Sequence, residues 1–175
     1  MIKPAPLIAA STLWLCACTS LGQVPTSKLA AGALHSANGA VAGSVVIVAV
    51  GDAVTISIAA VGLAPGAHGI HLHAVGTCDA PGFASAGSHL NPHGKQHGSA
   101  NPAGSHLGDL PNLVIGADGA GTVTAKLGDS RAEIEAALYD ADGTALVIHA
   151  SSDDYLTDPS GNSGPRIACA VLKRG

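Results

Sequence analysis

The alternation of apolar and polar side chains along the chain is typical of β-strands. Val54, Ile56 and Ile58 alternate with polar neighbours, which is the period-two pattern of a strand that buries one face. Eight runs rich in Val, Ile, Leu and Ala predict strands at residues 29–35, 42–50, 53–61, 68–74, 113–115, 121–127, 144–150 and 166–172. Asn38-Gly39 and Gly51-Asp52 separate the first three runs and favour tight turns, so these strands are expected to form a meander.

Two stretches, residues 75–112 and 151–165, interrupt the strand pattern because they lack hydrophobic periodicity. Gly, Ser, Asn, Pro and His dominate the first, and a loop of this length inside a domain is usually either functional or disordered. The histidines in this first stretch favour a functional loop over a disordered one. Residues 132–138 fit either a helical turn or a loop. Eight strands with two long loops predict an all-β protein built as a flattened antiparallel barrel.

Composition agrees with one β-domain and argues against a nucleic-acid partner. The chain has 175 residues, of which 47% are hydrophobic, 11% charged and 2% aromatic, with 23 Gly and 10 Pro. This balance of small, β-branched and turn residues favours a sandwich or barrel over a helical bundle. The formal net charge is -4 and Lys and Arg do not cluster, so the phosphate neutralisation that nucleic-acid binding requires is not expected.

The first residues are typical of a targeting segment rather than of a folded domain. Lys3 supplies a positive charge, and the apolar run at residues 7–15 is too short to span a bilayer. We therefore expect residues 1–17 to be a signal peptide and the protein to be exported to the periplasm.

The sequence Leu15-Cys16-Ala17-Cys18 resembles a bacterial lipobox, in which cleavage precedes a cysteine that becomes acylated. The second cysteine, Cys18, fits that position better than the first, and an ordinary secretory signal is the alternative. The lipobox predicts a lipidated tether at residues 18–27, a folded domain at 28–175, and membrane attachment through the lipid alone. Thr19 after the cysteine favours the outer membrane.

Two further cysteines, Cys78 and Cys169, lie far apart in the predicted domain. An oxidising compartment allows a disulfide between them to persist, and such a bond closing a long loop stabilises a fold by about 4 kcal/mol. Two unpaired buried thiols are the alternative.

Histidines and one aspartate form the candidate metal-binding set. His71 and His73 lie on a predicted strand, where side chains two residues apart share a face, so the pair presents two imidazoles to one ion. The following loop adds three imidazoles and a carboxylate, enough for a closed tetrahedral zinc shell: His89, His97, His106 and Asp109. A bound metal would order this loop, because binding free energy becomes folding free energy. The alternative is a solvated histidine-rich loop that binds divalent ions loosely.

Several short motifs, in order along the chain, resemble those of the copper-zinc superoxide dismutases, in particular the exported bacterial branch. They are Gly69-Ile-His71-Leu-His73, Ala86-Gly-Ser-His89-Leu-Asn-Pro92, Lys95-Gln-His97-Gly98, His106-Leu-Gly-Asp109-Leu-Pro-Asn112, Val147-Ile-His149, Asp153-Asp154 and Gly161-Asn-Ser-Gly-Pro-Arg166-Ile-Ala-Cys169. The resemblance covers nearly the whole predicted domain. It implies an eight-stranded Greek-key barrel with an immunoglobulin-like sandwich arrangement.

The resemblance also implies two metal ions joined by one imidazole. The implied copper ligands are His71, His73, His89 and His149, and the implied zinc ligands are His89, His97, His106 and Asp109. His35, His68 and His93 receive no ligand role. His68 resembles a structural histidine of the family, while His93 either joins the loop site or, like His35, lies exposed at the surface.

Other implied roles concern residues around the metals. Arg166 is expected to receive the anionic substrate, superoxide, beside copper. Asp153 is expected to accept hydrogen bonds from one copper and one zinc histidine, with Asp154 as its competitor. Cys78 and Cys169 correspond to the family's disulfide.

The implied activity is dismutation of superoxide, with His89 and Arg166 as catalytic residues. His89 is expected to bridge the metals while copper is oxidised, and to be released and protonated while copper is reduced. Two other functions stay open: a periplasmic copper-binding protein with little turnover, and a structural domain stabilised by zinc alone. The sequence leaves monomer and homodimer equally open.

Overall fold

Ten β-strands form most of the regular structure in this computed structural model, which describes residues 24–175. The strands are β1 (Thr26–Ser36), β2 (Val41–Val50), β3 (Ala53–Ala60), β4 (Gly66–His68), β5 (Ile70–His73), β6 (Leu113–Ile115), β7 (Gly121–Lys126), β8 (Ala145–His149), β9 (Arg166–Val171) and β10 (Lys173–Arg174). One helix, α1 (Arg131–Leu138), and one 3-10 turn, Ala84–Ala86, accompany them. The predicted all-β class is confirmed.

Eight of the strands form one antiparallel sheet that curls into a half-barrel. Its order is β5-β8-β9-β1-β2-β3-β7, with β10 paired to β1, while β4 and β6 form a separate two-stranded sheet. β2 pairs with both β1 and β3, so the predicted meander is confirmed. The edge strand β5 pairs with β8, which is distant in sequence, and these two strands carry three histidines of the candidate site.

The structure has ten strands where eight were expected, because one predicted strand is divided and one short strand follows the last predicted strand. The strand at residues 68–74 divides at Gly69, where the chain leaves its pairing with β6 and begins to pair with β8. The Gly69 carbonyl accepts the His149 N–H at 2.8 Å, and a Cβ on Gly69 would lie 2.8 Å from the Ser163 Cβ. The last predicted strand ends at Leu172, and the two residues of β10 that follow it pair with β1.

The core follows the predicted alternation. Val54, Ile56 and Ile58 are at most 1% exposed, and they pack with apolar side chains of the neighbouring strands. A second, smaller cluster surrounds Phe83 and lies behind the 3-10 turn: Phe83, Ala86, Ala145, Val147 and Cys169. This smaller cluster anchors the start of the long loop against β8 and β9.

The helix α1 resolves the alternatives for residues 132–138. A capping box starts it: Ser130 Oγ accepts the Glu133 N–H, and a Glu133 carboxylate oxygen accepts the Ser130 N–H. Ile134 and Leu138, four residues apart, are buried on one helical face. The helix therefore covers part of the core between β7 and β8.

The folded region begins slightly earlier than expected, because β1 starts at Thr26, which pairs with Val50. The predicted signal peptide, residues 1–17, and the acylation position, Cys18, lie outside the described residues. No helix within residues 24–175 is long and apolar enough to cross a membrane.

Candidate metal centre

Strands β5 and β8 bring three histidines together. β5 is buried along its whole length, and it pairs with β8 with Ile70 opposite Ile148 and His71 opposite Val147. His73 follows on the same face of β5, and His149 ends β8. His71 and His73 are fully buried and His149 is 3% exposed, so three imidazoles share one pocket of low polarity.

The long loop is attached to β5 by backbone hydrogen bonds. Leu72 donates to the Gly108 carbonyl at 2.9 Å, and Leu90 donates to the Leu72 carbonyl at 2.8 Å. Isolated bridges place His89 beside His73 and Asp109 beside His71. A Cβ on Gly108 would lie 2.4 Å from the Leu72 oxygen, so only glycine allows the loop to approach this closely.

The first group of ligand atoms belongs to His71, His73, His89 and His149, and these atoms all lie within 4.8 Å of one another. In each of the three strand histidines, the opposite ring nitrogen donates to an oxygen that only accepts. His71 Nε2 donates to Asp153 at 2.8 Å, His73 Nδ1 to the Gly87 carbonyl at 2.9 Å, and His149 Nδ1 to the Gly164 carbonyl at 2.9 Å. Neutral imidazoles held this way point their lone pairs into the shared pocket.

Those inward-facing nitrogens lack hydrogen-bond partners among the described residues. They are His71 Nδ1, His73 Nε2, His89 Nε2 and His149 Nε2. Buried polar atoms are almost always satisfied, so four unpartnered acceptors converging on one point require an explanation. A cation at that point supplies one, and four imidazole nitrogens are donors that copper prefers.

The second group converges on Asp109. One carboxylate oxygen, Oδ1, lies 3.0 Å from His89 Nδ1, 2.9 Å from His97 Nδ1 and 3.1 Å from His106 Nδ1. His106 Nδ1 and His89 Nδ1 are 3.4 Å apart. Ligand atoms about 2.0 Å from a tetrahedral zinc ion lie about 3.3 Å from one another, so these separations suit a zinc shell.

The protonation of these rings supports the same interpretation. His97 Nε2 donates to Asp153 at 3.0 Å, and His106 Nε2 donates to the Lys95 carbonyl at 3.1 Å. In the neutral rings, Nδ1 then carries a lone pair that faces the lone pairs of Asp109 Oδ1. Acceptors held this close repel one another unless a cation lies between them. The residues therefore fit zinc.

Asp153 links the two groups. Its Oδ2 accepts from His71 and its Oδ1 accepts from His97, and the carboxylate is fully buried. The competing Asp154 lies at the surface, where it accepts the backbone N–H groups of Leu156 and Thr157. Of the two aspartates, Asp153 is therefore the one that contacts the histidines.

Sequence reasoning assigned no role to the residues that hold Asp153. Asn112 fixes its backbone, because the Asn112 side chain accepts the Asp153 N–H at 2.8 Å and donates to its carbonyl at 2.9 Å. Gly161, at φ 63°, leaves room for the carboxylate, since a Cβ there would lie 1.8 Å from Asp153 Oδ1. Both residues belong to the quoted motifs, but motif position alone does not reveal what they contact.

Arg166 stands beside the copper group on the solvent side. Its guanidinium donates to the Phe83 and Gly87 carbonyls, each at 2.6 Å. It lines a cavity of about 480 Å³ together with His73, His89 and His149. Burial lowers the pKa of Arg166, but a guanidinium remains charged at neutral pH, so the cavity offers an anion a fixed positive group.

The disulfide between Cys78 and Cys169 is present, with the two Cα atoms 5.8 Å apart. It joins the loop that carries His89 to β9, three residues beyond Arg166. The predicted disulfide is confirmed.

Burial sets the charge states of the imidazoles. It lowers the pKa of His71 and of His149 to about 4 and that of His73 to about 2, and it also lowers the pKa of His89. Burial acts to raise the pKa of Asp109, but hydrogen bonds from His89 and the Gly98 N–H outweigh it, so this pKa lies well below its usual range. At neutral pH these four imidazoles are therefore neutral and the Asp109 carboxylate is ionised, as metal binding requires.

The remaining histidines lie apart from the ligand groups. His68 is buried, with its ring nitrogens facing the His149 and Ala64 carbonyls at 2.7 Å and 2.9 Å. His35 is exposed. His93 faces Asp129 across 2.7 Å at the surface and does not contact the candidate zinc ligands.

Fold and site together define a class: an antiparallel β-protein with a buried cluster of histidines that could hold metal ions. The family described as "Copper/zinc superoxide dismutase (SODC)" matches residues 41–172. The chain belongs to this copper/zinc superoxide dismutase family, as the resemblance of its motifs implied.

Two curated bacterial relatives illustrate the similarity. The chain is 48% identical over 124 residues to "Superoxide dismutase-like protein YojM" of Bacillus subtilis, covering 69% of this chain and 63% of that protein's length. It is 41% identical over 150 residues to "Superoxide dismutase [Cu-Zn] 2" of Aquifex aeolicus, covering 80% of this chain and 84% of that one.

A solved structure shares the fold. The crystal structure of a superoxide dismutase-like protein from Bacillus subtilis matches with a TM-score of 0.77 and 41% sequence identity, covering 84% of this chain and 100% of that chain.

Proposed function

We propose that this protein catalyses the dismutation of superoxide to molecular oxygen and hydrogen peroxide at a copper-zinc site. The observation that carries the proposal is the convergence of four buried, unpartnered imidazole nitrogens beside the cavity that Arg166 lines. His71, His73, His89 and His149 would hold copper; His89, His97, His106 and Asp109 would hold zinc. Copper supplies a one-electron redox couple, whereas zinc does not change oxidation state.

Arg166 binds the substrate in this proposal. Its two hydrogen bonds to backbone carbonyls fix the guanidinium plane, so the group is already positioned when an anion arrives. A small anion in the cavity lies between this charge and the imidazoles of His73 and His149. Superoxide is small and negatively charged, and so fits both features.

His89 is the proton-handling residue. Its Nε2 is the ring atom without a partner among the described residues, and the side chain also lines the substrate cavity. The opposite nitrogen, Nδ1, faces Asp109, which holds the ring from the zinc side. A proton held at Nε2 is therefore placed where a reduced oxygen species needs one.

The competing function is a copper-binding protein with little turnover. The Bacillus relative is named "Superoxide dismutase-like protein YojM", so family membership by itself does not assign the activity to this chain. The complete set of converging donors, together with Arg166, favours turnover in this chain.

The test is superoxide consumption by the purified protein with its metal content measured on the same sample. We expect one copper and one zinc per chain and rapid turnover, with loss of turnover in His149→Ala. Full copper occupancy without turnover would instead establish the copper-binding function, and zinc without copper would establish a structural role.

We further propose that the protein is exported, acylated at Cys18 and anchored to the outer membrane, where it protects the cell envelope from superoxide. The apolar leader and the lipobox-like sequence support this location, and a disulfide suits an oxidising compartment. Labelling with a radioactive fatty acid should mark the wild-type protein but not Cys18→Ala. If both forms partition equally into the soluble fraction, the anchor is wrong.

A further inference from the structure

Two of the four proposed zinc ligands line a cavity other than the one beside Arg166. It measures about 490 Å³, and His106 and Asp109 form part of its wall. No residue that lines it also lines the copper-side cavity, as far as residues 24–175 are concerned. A third cavity, of about 350 Å³, touches Asp109 but includes no histidine. His106 and Asp109 are therefore reached from a cavity that is separate from the substrate cavity, which His89 lines.

An imidazole and a carboxylate lie in this second cavity. His93 Nε2 is 2.7 Å from Asp129 Oδ2, and the side chains are 39% and 25% exposed. His93 comes from the long loop, whereas Asp129 comes from the segment between β7 and α1. Histidine nitrogen and aspartate oxygen are both zinc ligands, and two of them bind an ion weakly enough to release it.

Hydrogen bonds connect the loop around His93 to one of the proposed zinc ligands. The Asn91 side chain accepts the Lys95 N–H at 3.0 Å and donates to the Lys95 carbonyl at 2.8 Å. That same carbonyl accepts from His106 Nε2. His93 therefore belongs to a hydrogen-bonded loop and lines the same cavity as His106.

We propose that His93 and Asp129 form a transient zinc-binding pair at the entrance of this cavity, from which zinc passes to His106 and Asp109. This inference rests on the zinc site of the proposed function. It gives the two metals separate routes: copper through the cavity beside Arg166, zinc through the cavity beside His93.

Two lysines line the same cavity, so the proposed zinc route can be tested by removing one of their positive charges. Lys95 and Lys126 repel a cation, and Asp109 and Asp129 offset them, so the formal charges of these four groups balance. Lys126→Gln removes one positive charge without touching a proposed ligand. It should speed zinc uptake, most clearly at low ionic strength.

The experiment measures zinc uptake and release by the metal-free, disulfide-bonded protein, using Zn²⁺ and a chromogenic chelator in a stopped-flow instrument. We expect His93→Gln and Asp129→Asn to slow uptake and release by the same factor, at least fivefold, with the equilibrium affinity unchanged. A residue that only assists passage cannot alter the equilibrium between the free and the final bound state. Asp129→Glu, which keeps the carboxylate, should restore most of the rate.

Matched controls remove the same groups elsewhere on the surface: His35→Gln and Asp142→Asn, both exposed. These variants should take up zinc at the wild-type rate, and copper uptake should be unchanged in all variants. An unchanged uptake rate in His93→Gln and Asp129→Asn overturns the route. Faster zinc release with a normal uptake rate in these variants also overturns the route, because His93 and Asp129 would then only stabilise the zinc-bound state. If the wild-type protein binds no zinc at equilibrium, the proposed zinc site itself is wrong.

Discussion

At the level of single side chains, one buried carboxylate joins the two proposed metal positions. The oxygens of Asp153 accept from His71 and from His97, and these bonds fix which nitrogen of each ring is free for a metal. Burial acts to raise the pKa of Asp153, but the hydrogen bonds from His71 and His97 outweigh it, so the carboxyl stays ionised at neutral pH. The orientation of both imidazoles depends on this one charged group.

Gly161→Ala should displace Asp153, because the new Cβ would lie 1.8 Å from its Oδ1 and 2.7 Å from His97 Nε2. We expect metal affinity or activity to fall about ten- to a hundredfold, the usual effect of losing such a partner. Competition with a chelator measures the affinity. Gly128→Ala is the control, since its Cβ would meet nothing within 4 Å. Equal affinities in both variants would contradict the role given to Asp153.

At the level of elements, the strands could be predicted from sequence and the contacts between them could not. The alternation in β3 depends on local burial, which sequence periodicity reports. The break at Gly69 depends on Ser163 and Ser151, more than 80 residues away, and no local pattern reveals it. The ligand types followed from the motifs, whereas the contacts made by Asn112, Gly161 and His93 required the fold.

The helix α1 offers a test at this level, because its first turn is fixed by the capping box between Ser130 and Glu133. Ser130→Ala should destabilise the protein by about 1 kcal/mol, since the N–H of Glu133 loses its acceptor. Urea unfolding of the metal-free protein measures the change. Zinc and copper affinities should stay at their wild-type values, and a change in either would mean that the helix positions the metal centre.

At the level of the whole molecule, the protein carries a formal net charge of -4 yet is proposed to bind an anion. A local positive potential around Arg166 must then act against the overall charge, and salt screens such a potential. Encounter with superoxide should therefore depend on ionic strength.

Arg166→Glu should lower the turnover rate and abolish or reverse the slowing caused by added salt, because the charge at the cavity changes sign. Pulse radiolysis at several ionic strengths measures both quantities. Arg166→Lys keeps the charge but loses the paired bonds to the Phe83 and Gly87 carbonyls, so its salt dependence should remain. Identical behaviour of Arg166→Glu and the wild type would show that Arg166 does not attract the substrate.

Acid should destabilise the metal-free protein. The pKa of His71 and of His149 is about 4 in the folded state, against an ordinary value of 6.5, because both are buried. The unfolded chain thus binds more protons between these values, and stability falls as pH drops from about 6.5 towards about 4. Urea midpoints between pH 7 and pH 4.5 measure this fall. A constant midpoint would mean that these imidazoles are solvated.

The Gly87 carbonyl has a consequence for how this protein can vary. The same oxygen accepts from His73 Nδ1 at 2.9 Å and from the Arg166 guanidinium at 2.6 Å. A shift of the backbone at Gly87 therefore moves a proposed metal ligand and the proposed anion-binding group together. In the proposed site, anion binding and the position of a metal ligand are coupled through one atom, so a substitution that displaces this carbonyl is expected to alter both.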